Sequence, residues 1–397
     1  MGGTKNLFNH REKKNMSMKN TSNTFITLIL VVLLIPFLSI AGIKNNIDVT
    51  IYQAWQITAV ISLMVFIYLL ADEIKINWAV VLFTLYQAVI ILSSYLKHGF
   101  SLGIVTVTAA STLLFMLMQT PCYREVISAI CIIVVAAMII NLPIMISNLS
   151  DEYAVYFIGG KNSLSMFLIP GAFLYLISSL ETEGRLSLKC VTVMGLCLLS
   201  IIIGDSGTGI VVVFFVVVLM ILMKKIKISK WIYIFAILLL YALLLLFSTV
   251  FLSTDFWIFV TGILGKDSTL TSRVAIWNIA KDIIGDNWLL GSGRGTEIAY
   301  INQWEEHKLI DEAHNFILEV LMEGGVVAFT IFSVLFYNIV DKLDMNDIRN
   351  KMVFITLCAV LINGLTESTV NNLFVTLVLG VACHYAMENR GKKISNE

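Results

Sequence analysis

Charge is what this chain has least of. Only 14% of its 397 residues are Asp, Glu, Lys or Arg, where soluble domains usually carry about 25%. With 58% hydrophobic residues and a mean hydropathy of +0.87, the chain requires a bilayer as its solvent. Its basic residues sit in short turns rather than one patch, which excludes a nucleic-acid-binding surface. The six cysteines (Cys122, Cys131, Cys190, Cys197, Cys358 and Cys383) form no CxxC pair or Cys/His cluster with metal-ligand spacing. None falls in a segment placed outside below, so no structural disulfide is expected there. Nor is there an internal repeat of the kind that marks many secondary transporters.

What the chain does have is apolar runs. A spanning helix needs roughly 17–25 mostly apolar residues. Such runs lie near 25–43, 51–71, 78–96, 101–118, 126–146, 163–180, 190–204, 208–223, 231–250, 314–340, 352–368 and 373–387. The seventh and eighth are short and flank Gly204-Asp205-Ser206-Gly207, so they fit either two crossing helices or one broken pair. The first run, with basic residues before it and Ser39-Ile40-Ala41 as a possible cleavage site near its end, also fits a signal peptide. Its length favours a span.

Lysine and arginine bias sets the orientation. With the N-terminus inside, about 19 of the 27 basic residues fall in cytoplasmic segments, including Arg390-Gly391-Lys392-Lys393 at the C-terminus. The expected fold is an all-α polytopic membrane protein of about twelve transmembrane helices, with both termini cytoplasmic. Its plan is a tail (1–24), nine spans (25–250), a large extracytoplasmic loop (251–313), three spans (314–387) and a second tail (388–397). That loop of about 60 residues is long enough to be functional or a small domain.

Within the loop, Ser272 to Ile284 predicts an amphipathic helix, with Ser272 as N-cap and Gly285 as stop. Ile276, Ile279, Ala280 and Ile283 form its apolar stripe, and Trp277 and Trp288 suit the headgroup level. Arg273 falls in the first turn, where the helix dipole disfavours a cation unless an anion is bound there. A solvated arginine, or one paired with Asp267, fits as well. Gly291-Ser292-Gly293-Arg294-Gly295-Thr296 could aim backbone N–H groups at an anion beside Arg294, or could be a flexible turn. The loop carries nine carboxylates against five cations, which speaks against a generic basic patch. Two arginines acting as placed donors would fit a diphosphate.

His314-Asn315 opens the tenth span. Below it Asn315, Glu319 and Glu323 recur at i, i+4, i+8. Ionised carboxylates are costly inside a membrane, so Glu319 and Glu323 are expected to face the bundle interior or a wet cavity. A packing seam helped by Gly324-Gly325 accounts for them more simply. Gly159-Gly160-Lys161-Asn162 precedes the sixth span, and Thr366-Glu367-Ser368 ends the eleventh.

Together these residues resemble the bacterial O-antigen ligase and polymerase superfamily. The resemblance rests on Arg273 with Trp277, Gly291 with Gly293, His314-Asn315 and Glu323-Gly324. Lys161-Asn162 looks like that family's basic-residue-plus-Asn element, and Asp205-Ser206-Gly207-Thr208 and Thr366-Glu367-Ser368 are similar to weaker ones. Ligases often carry a basic residue near the position of Ser206; its absence here argues for a polymerase of capsule, exopolysaccharide or O-antigen repeat units. A ligase with the same residues, or a flippase of the lipid-linked unit, is the alternative.

Membership implies a metal-independent inverting glycosyltransferase of the bacterial plasma membrane that needs no cofactor. It would use a polyprenyl-diphosphate-linked oligosaccharide as donor, in company with a chain-length regulator and a flippase. No Asp-x-Asp signature for a nucleotide-sugar site appears on the outer face. The expected catalytic set is His314, Arg273 and Arg294, with His307 as a substitute base. The expected substrate-binding set is Lys161, Asn162, Gly291, Gly293, Asn315, Glu319 and Glu367.

Overall fold

The computed structural model describes residues 23–74, 76–149, 154–226, 228–251, 273–301, 307–368 and 372–394. Each of the twelve apolar runs folds as a helix. In chain order these are α1 (Asn23–Phe37), α2 (Val49–Leu69), α3 (Trp78–His98), α4 (Leu102–Leu117), α5 (Tyr123–Ser147), α6 (Lys161–Glu183), α7 (Leu188–Ile203), α8 (Gly207–Lys225) and α9 (Lys230–Phe251). After α10 (Arg273–Asp286), which belongs to the large loop, come α11 (Phe316–Lys342), α12 (Ile348–Asn363) and α13 (Leu373–Ile394). Six of them (α2, α3, α5, α6, α8 and α11) are long and apolar enough to cross a membrane. The chain is therefore an all-α membrane protein in its main architecture.

Local sequence explains where these helices start. Side-chain oxygens of Asp48, Asn77, Ser101, Ser187, Ser206, Asn315 and Asp347 accept from backbone N–H groups in the first turns of α2, α3, α4, α7, α8, α11 and α12. Each such cap contributes about 1 kcal/mol. The two short runs around Gly204 are two separate helices, divided at Asp205, whose φ of 48° breaks the helical path. Of the six long helices α6 is the most enclosed, with 72% of its apolar window buried, and α2 the least, with 22%. The core forms where α6 packs against α5, α7, α8 and α12, while α11 packs chiefly against α3.

The large loop departs from the expected plan in two ways. It contains a two-stranded antiparallel hairpin, β1 (Ile298–Ile301) with β2 (His307–Ile310), in which Ile298 faces Ile310 and Ile301 faces His307. Its helix, described from Arg273, also runs through Gly285 to Asp286, so Gly285 does not stop it. Ser272 and Asp267 lie outside the described residues. The apolar stripe of α10 is buried as the periodicity indicates, but against protein. Ile276, Trp277 and Ala280 pack with Ile298, Ala313, Leu318 and Met322 in a small core of their own. Trp277 is fully buried, not a headgroup anchor; Trp288 is exposed.

Contacts between helix ends sort into two groups. At one end Lys97 Nζ donates to Asn287 Oδ1 (2.6 Å), His98 Nε2 lies 3.1 Å from Thr296 Oγ1, and Phe316 N–H donates to Gly364 O (2.8 Å). At the other, Lys230 Nζ donates to Asp341 O (2.6 Å) and Arg124 pairs with Glu181 (2.8 Å). The first is called the loop end below.

Candidate active site

The floor of the loop end is built where α11 breaks. Gly325 takes φ 62° and ψ −165° inside α11, a conformation open to glycine because it has no Cβ. A break of this kind exposes main-chain donors and acceptors inside the bundle, and each needs a partner. The segment 288–293 supplies partners for four of them. Ser292 and Gly293 donate to Met322 O (2.7 Å) and Glu323 O (3.1 Å), while Val326 and Val327 donate to Trp288 O (2.9 Å) and Leu289 O (3.2 Å). Arg294 N–H continues the line to Ser94 Oγ on α3 (2.9 Å).

The Gly-x-Gly turn thus splices the loop into the kinked helix. Its glycines have φ of 74° at Gly291 and 84° at Gly293. A Cβ on Gly293 would come within 2.5 Å of Ser94 Cα, so close approach to α3 also requires glycine. Of the N–H groups expected to face an anion, those of Ser292 and Gly293 are instead bonded to carbonyls of α11, and that of Arg294 to the Ser94 hydroxyl. What the turn delivers to the site is the side chain of Arg294. Its Nε lies 3.2 Å from Glu323 Oε1, its Nη2 3.2 Å from Glu323 Oε2, and its Nη1 3.3 Å from Thr108 Oγ1 on α4. Glu323 is almost wholly buried. The polar seam read from the sequence is therefore real, and its lower carboxylate carries an arginine.

A second group gathers above α11. Arg273, the first residue of α10, donates through Nε to Thr366 O (2.6 Å) and through Nη2 to Glu367 Oε1 (2.5 Å). Thr208, at the start of α8, donates to the same oxygen (3.0 Å). Glu367 is itself buried, at 1% exposed, because α12 ends at Asn363 and residues 364–368 turn inward instead of extending the helix.

His314 stands beside this pair. It does not begin α11 but precedes it, with φ 48°. Asn315 holds it in place on one side. The Asn315 side chain caps α11 through Ile317 and Leu318 N–H, and its Nδ2 donates to Leu365 O (2.9 Å). On the other side Glu319 accepts from Ala313 N–H, and Trp277 Nε1 donates to His314 O (3.4 Å). Asn315 and Glu319 are fully buried, so they fix the main chain around the imidazole. His314 Nδ1 lies 3.8 Å from Glu367 Oε2 and 4.0 Å from Glu312 Oε2, and among the described residues no hydrogen bond reaches it. Burial, reinforced by the Arg273 charge, pushes its pKa down to about 4. Partial burial and the neighbouring Asp311 push the half-exposed Glu312 carboxyl up to about 7.

Lys161 opens α6 at the same end and pairs with Asp205 at 3.3 Å. Asn162 is exposed beside it, its carbonyl accepting from Ser165 Oγ (3.0 Å). His307 starts β2, exposed and paired with Ile301. The structure thus brings His314, Arg273 and Glu367 into contact. It gives Lys161 and Arg294 carboxylate partners of their own.

Two contributors had no role in the sequence reading, Thr108 and Ser94, while Asp205 and Thr208 entered only within a weaker element of the resemblance. Each is a polar residue inside or beside an apolar run. That was the available signal, but hydroxyls in spans commonly bond their own helix, as Ser94 also does through Ile90 O (2.7 Å).

Fold and site define the class: a helical membrane protein with basic groups, carboxylates and one imidazole gathered where a large loop is spliced into its bundle. Residues 192–333 match the family model described as O-Antigen ligase, which supports the O-antigen ligase/polymerase superfamily and a ligase- or polymerase-type role in assembling O-antigen or a related polysaccharide. The matched segment contains Arg273, Arg294, His314 and Glu323, and leaves Lys161 and Glu367 outside. No curated protein and no solved structure matches the chain.

Proposed function

We propose that the protein is a polysaccharide polymerase of the bacterial plasma membrane, with its loop end outside. It transfers a growing chain from a polyprenyl diphosphate to another lipid-linked repeat unit. The observation that carries this reading is an imidazole without a hydrogen bond on Nδ1 among the described residues, 3.8 Å from the carboxylate that holds Arg273. A histidine neutral at pH 7 can accept the proton of an attacking hydroxyl. Arginines nearby can stabilise the charge that grows on a departing diphosphate.

In the proposed step the acceptor oxygen forms a bond to the anomeric carbon, with inversion and without a metal ion. Its proton goes to His314, and the bond to the diphosphate breaks with the electron pair leaving on phosphate. Arg273 and Arg294, with Lys161 at the rim beside Asn162, hold that diphosphate. A chain-length regulator and a flippase act with the protein in this scheme. The sequence element around Ser206 carries no basic residue of its own, which favours a polymerase over a ligase.

The test is polymer length in cells. Arg273→Ala, Arg294→Ala and His314→Ala should each leave single repeat units, and full-length polymer from all three would sink the mechanism. Purified protein given only lipid-linked repeat units separates the classes. A polymerase lengthens them, a ligase needs another acceptor, and a flippase changes nothing covalently.

A further inference from the structure

Glu367 binds two groups and faces a third. Its Oε1 accepts from Arg273 and Thr208, while its Oε2 faces Nδ1 of His314 across 3.8 Å. The frame around this gap is stitched together by bonds to three successive main-chain carbonyls. Phe316 N–H donates to Gly364 O (2.8 Å), Asn315 Nδ2 to Leu365 O (2.9 Å) and Arg273 Nε to Thr366 O (2.6 Å). The turn that carries Glu367 and the segment that carries His314 therefore move as one piece. Closing about 1 Å, down to ordinary hydrogen-bond length, requires only rotation of side chains.

We infer that Glu367 is a positioning residue whose carboxylate passes from Arg273 to the Nδ1–H of His314 when the donor's diphosphate takes Arg273. The inference rests on the reading of His314 as the base. Two claimants share one carboxylate, and an incoming diphosphate competes directly for the guanidinium. A carboxylate buried this deeply cannot turn to water, and Thr208, a neutral donor on Oε1, does not replace the charge-assisted bonds of Arg273. Nδ1–H lies within reach of Oε2, 3.8 Å away. Glu312, at 4.0 Å from the same nitrogen, is half exposed and has water as an alternative. Among the described residues, the charged groups facing His314 are Arg273, Glu312 and Glu367.

The exchange prepares the chemistry in two ways. A carboxylate on Nδ1–H fixes the tautomer in which Nε2 is the proton acceptor. It also stabilises the imidazolium once Nε2 has taken the proton of the acceptor hydroxyl. Binding of the donor would therefore switch on the base, and an empty site would keep the carboxylate on Arg273.

The experiment compares Glu367→Gln and His314→Ala in nanodiscs. Binding is read with undecaprenyl diphosphate, and turnover with the lipid-linked repeat unit extracted from cells that lack this protein. Glu367→Gln should bind the diphosphate at least as tightly as the wild type, since Arg273 has lost its competitor. Its kcat should fall on the order of 10²–10⁴-fold, and the acid limb of its kcat profile should move down by about one pH unit. Parallel loss of binding and turnover would overturn the inference, as would an unchanged kcat. If His314→Ala keeps full turnover, the base reading itself fails. If His314→Ala is inactive while Glu367→Gln is normal, only the positioning role fails. Should Glu367→Gln not accumulate, Glu367→Asp provides the same comparison, with binding kept and kcat reduced.

Discussion

Arg294 grips Glu323 with a fork, Nε at 3.2 Å from one carboxylate oxygen and Nη2 at 3.2 Å from the other. Both side chains lie where the loop enters the kink of α11. Removing one partner of a buried pair leaves the other charge uncompensated, at a cost of about 3–5 kcal/mol. Arg294→Ala should therefore lower the melting temperature as well as abolish polymer. Arg294→Met with Glu323→Leu should restore most of the stability and none of the activity. Thermal unfolding in detergent, read beside polymer length, separates the two. Full activity in the double variant would show that Arg294 serves the fold alone.

Gly325→Ala should be among the most disruptive single changes in the chain. The residue sits at φ 62°, and an added Cβ would collide with the Leu289 carbonyl. Straightening α11 to relieve the clash would strand the donors and acceptors that segment 288–293 now satisfies. Each buried main-chain group left unpaired costs about 1–3 kcal/mol. Protease sensitivity of the large loop in intact membranes should rise. A loop as resistant as wild type would contradict the splice.

The pH dependence of kcat/KM follows from His314. Its pKa of about 4 lies below the ordinary 6.5, so the free enzyme keeps a neutral imidazole down to mildly acidic pH. The limb controlled by His314 should fall near pH 4 rather than near 6.5. For stability the sign is the following: the unfolded chain takes up this proton first, so stability rises with pH between about 4 and 6.5 and is lost as pH falls through that window. Glu312, pushed up to about 7, titrates nearby, so Glu312→Gln is measured alongside to isolate the histidine. A wild-type limb near 6.5 that persists in Glu312→Gln would remove His314 from the role of buried base.

Lys161 should behave differently from the arginines. Its partner Asp205 is 63% exposed, and exposed pairs contribute about 0–1 kcal/mol. Lys161→Ala should leave the melting temperature within a degree or two, while raising the KM for the lipid-linked donor several-fold with kcat nearly unchanged. A stability loss with an unchanged KM would place Lys161 in the fold and not in the site.

The parts of this protein written in runs and periods were legible before any coordinates. Every apolar run became a helix, and the stripe Ile276, Ile279, Ala280, Ile283 did turn inward. What was not legible was decided by distant partners. Trp277 has the local setting of an interfacial tryptophan, yet Leu318 and Met322 of α11 cover it. Gly291 and Gly293 need positive φ equally for an anion cradle and for a splice into a broken helix, so their spacing alone could not separate the two. Glu367 lies 94 residues from the guanidinium it holds, and no local pattern records that pairing.

Lys161, Arg273 and Arg294 each arrive with a tethered carboxylate already attached. A stray phosphate or sulfate ion must displace a group held at high effective concentration by the chain itself, and it can rarely do so. A headgroup delivered by its own lipid tail is concentrated in the same thin layer and presents several oxygens at once. The ion pairs would in this way act as a sieve, refusing the mineral anions of the surroundings while admitting the cargo.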